Sequence, residues 1–163
     1  MMAISNKIFL SILSLDSYNR GYNEGIEGLG SEGVSVGNAS LSSQSSVLEN
    51  SPELNAGFFA AVYDWNGSRV ISYRGTDSAV ELSWAADIWS GWTLGAGFPW
   101  ASQAGLAIKF FQDIAKEFKE RPETSAFDAI DNSGIILTGH SLGGGLAGFV
   151  SMISGATAVG FDH

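Results

Sequence analysis

The chain has no cysteine, which excludes a disulfide framework and any thiolate metal site but leaves the cellular compartment open. Basic residues are scarce, 8 Lys and Arg against 17 Asp and Glu, for a net charge of −9. An acidic surface repels phosphate backbones, so nucleic acid is not an expected partner. Only 15% of residues are charged while 45% are hydrophobic, a globular rather than a disordered composition. No segment has the unbroken apolar length of a membrane span. Histidine is limited to His140 and His163. No His/Asp/Glu spacing suggests a catalytic metal, and no cofactor is expected. A chain of 163 residues suffices for one domain with a core and is too short for two ordinary ones, so residues 1–163 are read as a single domain.

At the N-terminus, Lys7 followed by Ile8-Phe9-Leu10-Ser11-Ile12-Leu13 faintly resembles a signal peptide. The apolar stretch is short, however, and no small-x-small cleavage site follows it. The better reading is an amphipathic helix over 5–20, with Ile8, Ile12 and Leu15 at helical spacing and Phe9 and Leu13 beside them. No clear cleavable signal is expected, which leaves both the cytoplasm and export open.

What the chain has in abundance is glycine, 21 residues. Residues 21–38 read as a glycine-rich loop. Gly28-Leu29-Gly30-Ser31-Glu32-Gly33 spells G-x-G-x-x-G, but no convincing strand precedes it and no helix follows, so dinucleotide binding is rejected. The tract at 39–55 is polar and serine-rich, with Ser51-Pro52 as a punctuation mark. Two strands, 58–63 and 70–73, flank Asn66-Gly67, the dipeptide of a tight hairpin turn. Asn38-Ala39-Ser40 and Asn66-Gly67-Ser68 match the glycosylation pattern, the second being better explained by that turn. Residues 101–120 form a helix with Ala107, Phe110, Phe111, Ile114 and Phe118 on one face. Ile135-Ile136-Leu137-Thr138 is a buried strand of the parallel-sheet kind, residues 142–154 a helix, and 156–161 another buried strand. This β-turn-α-β ending is the unit of a doubly wound sheet.

Between that strand and helix stands Gly139-His140-Ser141-Leu142-Gly143, a G-x-S-x-G sequence. Common by chance, it gains weight from its context, because a nucleophile elbow requires a strand entering and a helix leaving. So sharp a turn leaves no room for a Cβ at either flank. It lifts the Ser141 hydroxyl to the carboxyl end of the sheet, near the positive end of the next helix. The competing reading is a glycine-rich turn whose serine caps the helix.

LTGHSLGGGLA resembles the nucleophile segment of the class 3 lipase family, and VISYRGTDSAVELSWAADI resembles that family's strand, Arg-Gly-Ser/Thr and Trp-x-x-Asp helix. The resemblance spans about 58–161 and implies an α/β-hydrolase type, three-layer fold with a mainly parallel sheet. It implies a carboxylic ester hydrolase acting through an acyl-Ser141 intermediate on an ester or lipid, with transient contact at a lipid interface. The oxyanion donors it implies are the Leu142 N–H and Thr76, with Asp87 in a structural role, bonding backbone or a loop arginine such as Arg74. Trp84, Trp89, Trp92 and Trp100 fall where such lipases carry a lid; the plainer reading is that these rings are core.

A serine nucleophile needs a base and an orienting acid, in the order Ser, Asp or Glu, His for this fold. His140 precedes Ser141 in the turn and is expected to pack beneath it. His163, beside Asp162, is poorly placed for the role. The acid and histidine are therefore expected beyond residue 163. On this reading the chain is an N-terminal portion lacking the last strands, and three explanations stay open: a complementary C-terminal fragment as partner, a fragment of a longer chain, or a natural truncation without hydrolase activity. Two other function classes stand beside the hydrolase: an inactive module for binding or assembly, and an acyltransferase using the same serine.

Overall fold

The computed structural model describes residues 4–21, 35–75, 100–119 and 134–161. Helix α1 (Asn6–Asp16) is capped by Ser5, whose side chain accepts from the Ile8 N–H, and runs into a 3-10 turn (Ser17–Asn19). A short strand β1 (Ser35–Val36) and β2 (Ala39–Gln44) follow, then a single helical turn α2 (Pro52–Asn55). Strands β3 (Ala60–Trp65) and β4 (Ser68–Tyr73) form the expected hairpin. Asn66 and Gly67 both have positive φ, 50° and 80°, as its two-residue turn requires. Helix α3 (Trp100–Lys119), strand β5 (Ile135–His140), helix α4 (Leu142–Ser154) and strand β6 (Thr157–Phe161) complete the described elements.

The chain is mixed α/β, with a six-stranded sheet in the order β1-β2-β3-β4-β5-β6. The expectation of a mainly parallel sheet is corrected here. The β1–β2, β2–β3 and β3–β4 pairings are antiparallel, and only β4–β5 and β5–β6 are parallel. Two-residue turns join antiparallel neighbours by necessity, and β2, which falls in the polar serine-rich tract, adds two of the antiparallel pairings. The sequence hides β2 because Ala39-Ser40-Leu41-Ser42-Ser43-Gln44 offers just two apolar residues. Its register against β3 shifts between Leu41 and Ser43, and the Ser42 hydroxyl donates to the Val62 carbonyl at 3.3 Å.

Alternation along the strands separates two cores. Ala60, Val62, Ile71, Tyr73, Ile135 and Leu137 face α3 and α4. Ala61, Tyr63, Trp65 and Val70 face α1. Three layers result, with helices on both faces of the sheet. Helix α1 buries Phe9, Leu10 and Leu13 rather than the expected stripe, leaving Ile8 exposed. Its apolar residues lie nearly all round, so periodicity alone does not select the face. The sheet does, by offering Trp65 to Phe9 (ring centroids 5.0 Å apart).

A polar network ties α1 to β3. Arg20 donates through Nε and Nη2 to the two carboxylate oxygens of Asp16, at 2.8 and 3.0 Å, and the Tyr63 hydroxyl donates to the same carboxylate at 2.6 Å. All three residues are buried, and the hydrogen bond to Asp16 raises the Arg20 pKa above its usual value. Removing one partner of such a buried pair costs about 3–5 kcal/mol, so Asp16→Ala is expected to lose about that much in urea denaturation. Burial pushes the phenols of Tyr63 and Tyr73 well above the usual tyrosine value. Both stay neutral in the folded state while the unfolded chain ionises near pH 10. Their stabilising contribution is therefore present below about pH 10 and lost as pH rises toward the folded values. The expected result is a fall in unfolding free energy from about pH 9 to about pH 11, shallower in Tyr73→Phe than in the natural chain.

Candidate active site at the turn between β5 and α4

Ser141 sits between β5 and α4 with φ 56° and ψ −126°. Among the described residues the other non-glycine positions with positive φ are Asn50 and Asn66, and asparagine tolerates that region. Serine at this ψ does not lie in the left-handed helical basin, and such a conformation costs about 1–3 kcal/mol unless its surroundings enforce it.

The surroundings do enforce it. The Ser141 N–H donates to the Phe161 carbonyl at 2.9 Å, which pins the turn to β6, and its carbonyl accepts from the Gly145 N–H at 3.2 Å. A Cβ on Gly139 would overlap the Gly143 backbone, and one on Gly143 would overlap the Tyr73 carbonyl. A Cβ on Gly144 would lie 3.4 Å from the Gly160 Cα. The first turn of α4 thus rests directly on the backbones of β4, β5 and β6, which only side-chain-free residues allow.

The Ser141 side chain makes no capping hydrogen bond and is half-buried. The alternative in which this serine merely caps the helix is thereby removed. The hydroxyl stands at the N-terminal end of α4, where the helix dipole favours negative charge. The Leu142 N–H belongs to the first turn, whose amides have no acceptor within their own helix.

The parallel pairing of β4 with β5 sets Tyr73 opposite Gly139, so the chain leaving β4 passes the turn. A Cβ built on Gly75 would lie 3.4 Å from the Ser141 Cβ and 2.7 Å from the His140 carbonyl oxygen. Thr76 is the next residue and lies outside the described residues, as do Trp84, Asp87, Trp89, Trp92, Asp162 and His163. The guanidinium of Arg74, one of the partners expected for Asp87, lies 4.5 Å over the Phe59 ring and donates through Nη1 to the Arg20 carbonyl at 3.3 Å.

His140 is on the α1 side of the sheet, its Nδ1 3.2 Å from the Tyr18 hydroxyl and the two rings edge to face. That hydroxyl also accepts from the Gly75 N–H at 3.1 Å. Neither Tyr18 nor Gly75 carries a sequence signal for this role; Tyr18 is 122 residues from the histidine it meets. Among the described residues no group of three His, Asp or Glu is placed to hold a metal, and no helix is long and apolar enough to cross a membrane. A groove of about 460 Å³ between α3 and α4 is lined by Ile108, Phe111, Val150 and Ile153. It lies toward the far end of α4, a helix about 20 Å long, away from Ser141.

The packing separates two glycines two residues apart. Gly143→Ala is expected to cost at least about 3 kcal/mol, since the backbone it meets has no room to yield. Gly145, whose added Cβ would meet nothing within 4 Å, is exposed in the same helix. Gly145→Ala is expected to stabilise by about 0.5–1 kcal/mol. Denaturant titration of the two variants reads both values.

The model of the Mbeg1-like family matches residues 36–157, a span that holds the hairpin, the turn and α4. This overturns the resemblance to class 3 lipases, because both segments that carried it fall within a different family and no lipase family matches. The physical reason is that glycine at 139, 143 and 144 is demanded by the backbone approach itself, which any chain making this turn must satisfy. No curated protein and no solved structure matches the chain. The chain belongs to the Mbeg1-like family.

Proposed function

We propose that this chain is a serine hydrolase of the α/β-hydrolase type, cleaving carboxylic esters through a covalent acyl-Ser141 intermediate. The observation that carries the reading is the Ser141 backbone at φ 56° and ψ −126°, with its hydroxyl not engaged as a helix cap. Strain of this kind concentrates where a side chain must be presented rather than packed. The parallel run β4–β5–β6 with helices on both faces supports the same reading, since a nucleophile elbow joins such a strand to such a helix.

In this reading the Ser141 oxygen attacks the ester carbonyl and its proton passes to a base. The Leu142 N–H and Thr76 stabilise the oxyanion, and the alcohol leaves. Water then releases the acid. His140 faces Tyr18, so the base and its orienting acid are assigned outside the described residues, either in this chain or in a complementary polypeptide. The substrate class is an ester or lipid: acylglycerols, phospholipids or short synthetic esters. No cofactor enters the scheme.

Fluorophosphonates phosphonylate only activated serines. An intact-mass spectrum after treatment is expected to show one adduct, mapped to Ser141 and lost in Ser141→Ala. The absence of an adduct from the folded chain, purified together with any polypeptide that accompanies it, contradicts the reading and favours a binding module. Where labelling succeeds, a series of p-nitrophenyl esters of increasing acyl length identifies the preferred chain. Product analysis with added alcohol distinguishes hydrolysis from acyl transfer.

A further inference from the structure

The groove between α3 and the last turns of α4, about 460 Å³ in volume, has Ile108, Phe111 and Ala115 on one wall and Val150 and Ile153 on the other. Phe111, Ala115 and Val150 are buried core residues, whereas Ile153 stands 60% exposed. The polar atoms on α3 come from Gln112 and Lys116, four residues apart and therefore on one side of that helix. We propose that this groove binds a single-chain amphiphile with a carboxylate head, the apolar chain between the helices and the head on Lys116. The site is separate from Ser141 and stands whether or not that serine is a nucleophile.

Charge selects the head group. The chain carries −9 overall, so an anion is repelled except where a basic side chain is exposed. Arg20, Arg69 and Arg74 are buried, and Lys109 pairs with Asp113 at 3.0 Å. Among the described side chains, Lys7 and Lys116 are the exposed basic groups with no carboxylate partner. Of these two, Lys116 borders the groove. The nearest acids along α3 are engaged elsewhere, Asp113 with Lys109 and Glu117 with Arg69. Ser154, the last residue of α4, also lines the groove, and the C-terminal end of a helix favours a cation beside it. That end keeps the ammonium at the groove, and the Gln112 amide adds a second donor for a carboxylate.

Size selects the rest. The volume lies within the range of small-molecule sites, about 300–1,000 Å³. From Ile108 to Lys116 the groove follows α3 for about 12 Å. An alkyl chain fits along that length with its head at Lys116 and its methyl end toward Ile108. A partner protein of ordinary kind engages about 20–30 residues on each side, far more than the eight that line this groove.

The test is equilibrium binding of dodecanoate to the purified chain by isothermal titration calorimetry, below the micelle concentration. Lys116→Glu is expected to weaken binding about tenfold or more, while Lys7→Glu, which changes the net charge equally but away from the groove, stays within about twofold of the natural chain. Ile153→Glu sets a carboxylate in the apolar wall and is expected to weaken binding about tenfold as well. Absence of saturable binding to the natural chain overturns the proposal. So does equal affinity in Lys116→Glu and the natural chain, which would place the ligand elsewhere, the turn at Ser141 included. An equal loss in Lys7→Glu and Lys116→Glu also overturns it, since that marks a response to net charge alone. If Ile153→Glu does not fold, Ile153→Ala shortens the same wall; it is expected to weaken binding about threefold, and an unchanged Kd overturns the proposal.

Discussion

The closeness of three backbones governs this molecule. Where α4 begins, Gly139 of β5 and Gly143 of α4 touch, Gly143 presses on the Tyr73 carbonyl of β4, and Gly144 packs on Gly160 of β6. Helix and sheet are normally separated by side chains; here the separation vanishes for one helical turn. The short span left between β5 and α4 forces Ser141 into its positive-φ conformation, and the Ser141 N–H closes the arrangement on Phe161. The cost of that conformation, about 1–3 kcal/mol, is offset by burial of Leu146, Ala147 and Val150 in the core behind it.

On the other face of the sheet, the N-terminal segment does more than cover apolar surface. Leu13 is fully buried and its carbonyl accepts from the Ser72 hydroxyl of β4 at 3.2 Å. Asp16 and Arg20 reach Tyr63 of β3, and Tyr18 reaches the ends of β4 and β5. One stretch of chain thus fixes three strands relative to one another, from the side opposite α4. The turn is held between a helix that lies against it without side chains and a segment that grips it through hydrogen bonds.

Much of this was legible in the sequence, for reasons that differ by element. Asn66-Gly67 announced the hairpin because a two-residue turn with positive φ at both positions admits few other pairs. The Ile135–Leu137 run and the helix that follows were legible because burial on both faces leaves an unbroken apolar strand. The G-x-S-x-G turn was legible because its glycines answer to backbone contact. Strand β2 was not, since a serine-rich strand has almost no apolar alternation to read. The buried face of α1 was not, since its apolar residues encircle the helix. Tyr18 and Gly75 could not have been found, because their role depends on a contact between distant parts of the chain. The family was misread because the residues that suggested it answer to the geometry of the turn and do not distinguish one lineage from another.

The most direct measurement is a crystal structure of the chain after reaction with an organophosphate ester. The account predicts continuous density from the Ser141 Oγ to phosphorus, with the phosphoryl oxygen about 2.7–3.1 Å from the Leu142 N–H. An unmodified Ser141, or a phosphoryl oxygen turned away from the start of α4, would contradict it.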